Sequence, residues 1–553
     1  MHDDHIEFIT CKSFTTKKKS KHKVMGKTPT VFTLSELLTP IIHFLETDYS
    51  SLHTCVLVNR DWCRIATPLL WRYPFLDSLN NGQYRLIPVY LGCLDLGTKE
   101  WVNELTPNFP PHALKPPLFN YVKYLRRFDY YSLFHAVQKW CEVQRLGAFV
   151  LSEGGVVPDI QLNPPETLLK LLIDLFLDQA RDLEGIGISA VSHRNGEFLQ
   201  LEEHEEELTH PRLSKLNYLE CDDCIPENLM FASEVCTNLV QLNIECSWGN
   251  DEEIMKLFKV QKKLKRLVVK KRWPLVDEAF NCEEFTNSLI SITLLNNMNL
   301  VDNGGNLSVL SACKNLESIR FKNWMAFRED DLMELLSTHF PRLRIVIIDN
   351  SKPPPQVLIS MFTMNGENIQ ELKLDWSIRM RRNNNNCQQL PQVINAVAEH
   401  CPNVRYFEAP IQRKEIPELY SLLRNCKKLE CLILNESDVE PKEFTYEVDH
   451  FLPAMGIIVP QTLYQLKIFA NWKFSAESLR LFLMETCTAN LTRVAFKSIG
   501  DEHLEVITSY SKEKNPLNFL DLLWCSIGPR AEKAAMKYIK CVKIIGSSRG
   551  GAN

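Results

Sequence analysis

Two short segments carry side chains at spacings that suggest chemistry. Cys221 and Cys224 form a C-x-x-C pair, and two thiolates so placed supply half of a tetrahedral zinc site. No second pair follows at a suitable distance, so the pair reads as two packed thiols. The run Glu202, Glu203, His204, Glu205, Glu206, Glu207 begins like a metalloprotease helix. That helix needs a second His four residues after the first, and position 208 is Leu. The run reads as an acidic solvated loop. The chain has 18 Cys and 14 His, and nothing in their spacing marks one pair as nucleophile and base. No phosphate-binding loop, nucleophile elbow, kinase set or dinucleotide fingerprint is present. Glycine is scarce, 20 of 553 residues. The expectation is a non-catalytic chain with no metal and no cofactor.

Composition narrows the partners. Sixty-three basic and 68 acidic residues leave a net charge of −5, too small and of the wrong sign to advertise nucleic acid. The longest uncharged stretch, Phe451 to Leu466, is interrupted by Pro453 and Pro460 and is too short to span a bilayer. Cysteines scattered singly, with no signal peptide ahead of them, indicate a reducing compartment. The basic run Lys17, Lys18, Lys19, Lys21, Lys23 is either a nuclear import signal or a solvated tail. The expected location is cytoplasmic, nuclear or both, with neither nucleic acid nor membrane as partner.

The elements that would position a site come next. Residues 1–30 read as a disordered basic tail. From Thr33 and Glu36, spaced as a capping box, Leu34, Leu37, Leu38, Ile41, Ile42 and Leu45 recur at helical steps. Pro40 should kink or split that helix. Two more amphipathic segments follow, one through Leu52, Cys55 and Val56, the other through Trp62, Cys63, Ile65 and Ala66 up to Pro68. Three short helices can barely bury their own apolar side chains, so the unit wants a partner. Residues 77–165 read as a connecting region, partly helical, with helices expected near Ser132–Arg145 and Leu168–Phe176.

Beyond Leu183 a unit apolar-x-x-apolar-x-apolar recurs. Thirteen copies begin at Leu183, Leu213, Leu239, Leu264, Leu289, Leu316, Leu343, Ile369, Val404, Leu429, Leu463, Leu491 and Leu517, at steps of 25 to 35 residues. The mean step of about 28 falls in the range of roughly 20–29 shown by leucine-rich repeats. A weaker earlier copy is Leu125, Phe128, Tyr130. The long steps hold polar insertions, one with Arg381, Arg382 and Asn383 to Asn386, the other with Asp438, Glu440, Lys442 and Glu443. Between triplets the period turns helical, so each repeat should be a strand, a turn, a helix and a return. The expected fold is α/β: a three-helix unit at residues 31–76, then a leucine-rich-repeat solenoid, or horseshoe, of about 13 repeats at residues 166–530, closed by a cap and tail at 531–553.

Residues 31–76 resemble an F-box. The resemblance is carried by Leu34, Glu36, Leu37, Leu38, Ile41, Leu45, Leu52, Cys55, Val58-Asn59-Arg60-Asp61-Trp62 and Pro68-Leu69-Leu70-Trp71. The repeats are similar to the cysteine-containing leucine-rich class of F-box proteins, with Cys236, Cys313, Cys401 and Cys426 three residues before their repeat's first apolar residue. The resemblance implies a substrate receptor of an SCF-type ubiquitin ligase. In such a receptor the F-box binds a Skp-type adaptor, and through it a cullin, while the repeats hold an unknown protein to be ubiquitinated. It implies adaptor contact through Leu34, Leu37, Leu38, Ile41, Leu45, Leu52, Val58, Trp62, Pro68, Leu69 and Trp71. The alternative is a repeat scaffold that uses the adaptor contact without degrading anything.

The strand period of two turns the residues flanking the last two triplet positions toward the open face. There lie Arg266, Lys270, Arg320, Lys322, Glu371, Lys373, Asp375, Lys467, Arg493 and Lys497, mostly basic. Asp349, Glu408 and Asp521 share the geometry. This bias suggests a site for acidic or phosphorylated segments; an ordinary mixed-charge surface is the other reading. Trp248, Trp273, Trp324, Trp376, Trp472 and Trp524 fall at strand exits, either as an aromatic rim for a partner or as packing within the loops.

Overall fold

The computed structural model describes residues 35–75, 82–105, 109–146, 149–151, 160–162, 164–189, 213–222, 225–246, 249–296, 307–324, 327, 335, 338–351, 353–375, 390–411, 413–436 and 446–546. The basic tail, Leu34, the acidic run at 202–207, Cys224, Trp248, Trp376, the Asn-rich insertion and Asp438–Glu443 lie outside these residues. The chain divides into two compact units, Met1–Leu242 and Asn243–Asn553.

The first unit opens with three helices, α1 (Ser35–His43), α2 (Tyr49–Val58) and α3 (Arg60–Leu70). Side chains fix where two of them start. Asp48 accepts from the Ser51 N–H at 3.0 Å to begin α2. Asn59 accepts from the N–H groups of Asp61 and Trp62 at 2.9 and 3.0 Å to begin α3, satisfying donors a helix start otherwise leaves orphaned. α1 continues through Pro40 to His43, so the proline does not split the helix. Leu38, Ile42, Leu52, Cys55, Ala66 and Leu69 form the interior of the trio. Trp71 closes α3 and stacks on Tyr121 with ring centroids 4.1 Å apart.

Strands follow. β1 (Arg127–Asp129), β2 (Gly185–Ser189) and β3 (Tyr218–Asp222) pair in parallel. Phe75, just past the helical trio, bridges to Phe128 of β1. Helices Tyr130–Gln144 and Pro164–Gln179 fill the return between β1 and β2, each longer than its apolar pattern indicates. β2 carries Gly185 and Gly187 because its neighbours press close: a Cβ at Gly185 would sit 2.6 Å from the Tyr218 Cβ, and one at Gly187 2.7 Å from an Asp129 carboxylate oxygen. The register sets Ile186 against Leu219 and Ile188 against Cys221. The second triplet is therefore Leu216, Leu219, Cys221, three residues later than spacing predicts. Leu213 and Tyr218 are buried as well, and that apolarity produced the false frame.

The division between units falls within β4 (Gln241–Glu245). The second unit continues with β5 (Arg266–Lys270), β6 (Ser291–Leu295), β7 (Ser318–Lys322), β8 (Ile345–Asp349), β9 (Glu371–Leu374), β10 (Tyr406–Pro410), β11 (Cys431–Asn435), β12 (Gln465–Ile468), β13 (Arg493–Lys497), β14 (Phe519–Leu523) and β15 (Cys541–Ile545). The parallel sheet counts fifteen strands in sequence order. Thirteen carry the thirteen triplets. β1 carries the weaker copy, and β15 carries Ile539, Val542 and Ile544, with Val542 in register with Leu520. Val542 and Ile544 stay half-exposed; among the described residues no strand pairs beyond β15. The second long step holds a helix, Phe451–Ile458, and a small ribbon pairing Tyr446–Glu447 with Trp472–Lys473, more structure than the loop expected there.

A repeated turn ends many strands. Lys271, Asn296, Asn323, Asn350, Ser498, Trp524 and Gly546 each follow a strand directly and hold positive φ. There the chain must swing away from the sheet, and Asn and Gly tolerate that conformation best. Three of the asparagines form a ladder: Asn323 Nδ2 donates to Asn296 Oδ1 at 3.0 Å, and Asn350 Nδ2 to Asn323 Oδ1 at 2.6 Å. Asn323→Ala forfeits both bonds and strains the turn, while Asn323→Gly forfeits the bonds alone. Denaturation should show losses of about 2 and about 1 kcal/mol respectively; equal losses would mean the ladder rather than the backbone sets the cost.

Candidate functional site

Among the described residues no helix is long and apolar enough to cross a membrane. Also among them, no group of three His, Cys, Asp or Glu is placed to hold a metal ion. Cys221 is the buried third member of its triplet. Binding surfaces are therefore the features to weigh, and two stand out.

One is on the helical trio. Within α1, Leu38 and Ile42 face the interior and Leu45 is partly buried beside them. One position earlier, Leu37 and Ile41 are 48% and 46% exposed, and Phe44, just past the helix, is 89% exposed. Steps of one residue rotate a helix by about 100°, so the apolar arc extends beyond the stripe that this interior covers. Leu57 and Val58 at the end of α2 are 55% and 54% exposed, and Tyr49 at its start is 46% exposed. The sequence-predicted adaptor residues thus divide. Leu37, Ile41 and Val58 are on the surface. Leu38, Leu52 and Leu69 are interior, Leu45 and Trp62 are packed at its margin, and Pro68 is half-buried. Trp71 is held by Tyr121 and by Tyr90, at 4.1 and 5.6 Å. Phe44 and Leu57 were missed; their signal is apolarity that helical period places away from Leu38 and Cys55.

The other is the face of the second unit's sheet away from the triplets. Neighbouring strands bring its charges together. Lys373 of β9 lies between Asp349 of β8 at 3.4 Å and Glu408 of β10 at 3.5 Å. Burial would push its ammonium down, but Glu408 and Asp349 outweigh that and hold its pKa above the ordinary lysine value of 10.5. Lys467 reaches Asp521 at 3.7 Å. Lys497 pairs with Glu436 and donates to Asn471 at 3.0 Å. Arg320 Nε donates to Ser318 at 3.0 Å, and the Arg493 guanidinium sits 4.5 Å over the Phe519 ring. Arg266 is exposed, and Lys270, Lys322 and Glu371 are half-buried. The acidic residues that share the basic residues' geometry are their partners. Beneath this layer Ile347 and Ile433 point the same way and are only 8% exposed, because the stems of the charged side chains cover them.

The remaining candidates are packing. Trp273, Trp324 and Trp472 are buried at 2%, 0% and 6% exposure, while Trp524 is 63% exposed. Loop packing holds for the first three and a rim position for Trp524 alone among those described. Cys236, Cys313, Cys401 and Cys426 are all buried free thiols. Burial pushes Cys236, Cys313 and Cys426 up to about 12, and Cys401 also upward. Cys426 Sγ donates to the Cys401 carbonyl at 3.4 Å, one repeat back.

Parallel strands closed by buried apolar triplets and linked largely by helices define an α/β leucine-rich-repeat solenoid. No family model matches the chain, and no curated protein matches it. Solved structures are similar to it at low identity. The Rad7 and Elc1 complex in yeast is 14% identical over 60% of this chain and 87% of that one, with a TM-score of 0.36. An internalin, InlF, from Listeria monocytogenes is 13% identical over 61% and 78%, with a TM-score of 0.30. The leucine-rich-repeat-containing protein LegL7 from Legionella pneumophila is 14% identical over 50% and 90%, with a TM-score of 0.32.

Two measurements check these placements. Lys373→Met leaves Asp349 and Glu408 without their cation, so unfolding should become easier by roughly 1–3 kcal/mol. Because the Lys373 pKa is raised, the wild-type contribution is complete at neutral pH and disappears only as pH rises past the lysine value; a variant as stable as wild type at pH 7 would contradict the pairing. A thiol at about 12 rather than the ordinary 9.0 carries about a thousandfold less thiolate at pH 8. Iodoacetamide should therefore label exposed Cys541 at once and reach Cys236, Cys313 and Cys426 only on unfolding.

Proposed function

We propose that this chain is the substrate-recognition subunit of an SCF-type ubiquitin ligase, with no chemistry of its own. The helical trio docks a Skp-type adaptor, and through it a cullin, while the repeats hold the target protein. The observation that carries this reading is the double apolar stripe of α1. A helix that buries Leu38 and Ile42 inside and leaves Leu37 and Ile41 outside, with Phe44 exposed just past its end, exposes more hydrocarbon than a solitary trio keeps, and such patches mark protein-binding surfaces. The residues resembling an F-box lie on this trio, and Asn59 of that pattern starts α3. The repeats supply a long surface, which suits a receptor. The cytoplasm, the nucleus or both are the compartments in which it would work.

Exposure makes the test clean. Ile41→Asp together with Phe44→Asp places charges where water now reaches, so folding should be unaffected, whereas an adaptor contact would bury them unpaired at several kcal/mol each. Pulldown from cells should lose the Skp-type adaptor and the cullin together, with the unfolding midpoint unchanged. Adaptor recovered at wild-type yield would refute the docking surface. Adaptor recovered with wild-type chain but without cullin would replace the ligase by a non-degradative scaffold.

A further inference from the structure

The positions just ahead of β7 to β11 make a ladder of their own. Glu317, Arg344, Gln370, Arg405 and Glu430 are consecutive rungs, each N–H donating to the preceding rung's carbonyl at 2.8–2.9 Å. The outer rungs pair with their neighbours: Arg344 with Glu317 at 2.8 Å, and Arg405 with Glu430 at 3.2 Å. The charges read minus, plus, neutral, plus, minus. Alternation fails at Gln370, where a carboxylate would complete it. At about 4.8 Å per strand the two arginine backbones stand about 10 Å apart across that gap. Each guanidinium has five N–H donors and makes its ion pair, with Glu317 or with Glu430, on the side away from Gln370.

A groove of about 540 Å³ opens over this gap, within the range of roughly 300–1,000 Å³ found for ligand sites. Arg342 and Lys428 line it beside Arg344 and Arg405, against the carboxylates of Glu317 and Glu367. Asn403 orients Lys428 by accepting from its ammonium at 2.7 Å, and itself donates to the Glu367 carbonyl at 2.8 Å. The rung bonds fix the backbones of Arg344 and Arg405 at a set separation, and each guanidinium is tethered by its outer carboxylate.

We propose that this groove is a binding site for a phosphoserine- or phosphothreonine-bearing segment of a protein, its phosphate seated over Gln370 between Arg344 and Arg405. A phosphate carries close to two charges and three acceptor oxygens, so it serves both guanidiniums while Glu317 and Glu430 stay in place. A single carboxylate offers one charge for two arginines already half-neutralised. Arg342 and Lys428 meet acidic or phosphorylated residues flanking the centre. The site is separate from the sheet face, whose Lys373, Lys467 and Lys497 are engaged by the chain's own carboxylates, and it does not depend on the adaptor contact.

The test uses the full chain without adaptor. The probe is a fluorescein-labelled nine-residue peptide pool, degenerate except for a central phosphoserine, beside the same pool with serine. By anisotropy at 150 mM salt, the phosphorylated pool should bind at least about tenfold more tightly. Gln370→Glu completes the alternation from within: it should cut that binding by about tenfold or more, without lowering the unfolding midpoint. Lys322→Gln on the sheet face should change nothing. Equal binding of the two pools would overturn the proposal, as would undiminished binding by Gln370→Glu or a loss with Lys322→Gln as large. Binding of a thymidine 20-mer as tight as that of the phosphorylated pool would reduce the groove to a general polyanion surface and equally overturn it.

Discussion

Three buried side chains per pass hold this molecule together. Each time the chain returns to the sheet, an apolar residue two positions ahead of the strand turns inward, and the strand's second and fourth residues, on one side by the period of two, pack beside it. Leu343, Val346 and Ile348 are fully buried in this way, as are Leu429, Leu432 and Leu434. With each buried aliphatic side chain contributing about 1.5–3 kcal/mol, a repeat is anchored before its turns and helices are considered. The backbone then has no freedom in register: a slip of one residue would turn every triplet outward. From this follow the fixed rungs ahead of the strands, the positive-φ residues behind them and the pairing of charges on the other face.

Legibility followed the same logic. Triplets were readable where a repeat is covered on both sides and holds a single apolar set, and the reading failed where either condition does. On β15 Val542 and Ile544 have no strand beyond them among the described residues, and the strand lacks the continuous apolar run of its predecessors. At β3 two overlapping sets, Leu213–Leu216–Tyr218 and Leu216–Leu219–Cys221, are both buried, and only pairing with β2 decides between them. Helix ends set by Asp48 and Asn59 are local chemistry and therefore visible; that α1 would run through Pro40 depends on the packing of its neighbours.

Surface properties were less accessible than core ones. The basic character of Lys373, Lys467 and Lys497 is real in the sequence, but each lysine's acidic partner comes from another repeat, 24 to 61 residues away. Charge along one strand therefore says little about the field above the sheet. The same holds for tryptophan: Trp324 and Trp524 occupy similar places after their strands, yet one is enclosed and the other open. Conversely, Phe44 and Leu57 stand out only once the interior of the trio is known to be full.

The single-file arrangement of rungs also limits how far a change can be felt. A charge on β9 meets those on β8 and β10, as Lys373 meets Asp349 and Glu408; the strand after that is already about 10 Å away, one screening length at 0.1 M salt. Long side chains extend that reach by one strand at most: Lys467 of β12 meets Asp521 of β14, and Lys497 of β13 meets Glu436 just past β11. Substitutions three or more repeats apart should combine as independent changes, so the charge of one stretch of repeats can differ from that of another without disturbing the strands that carry it.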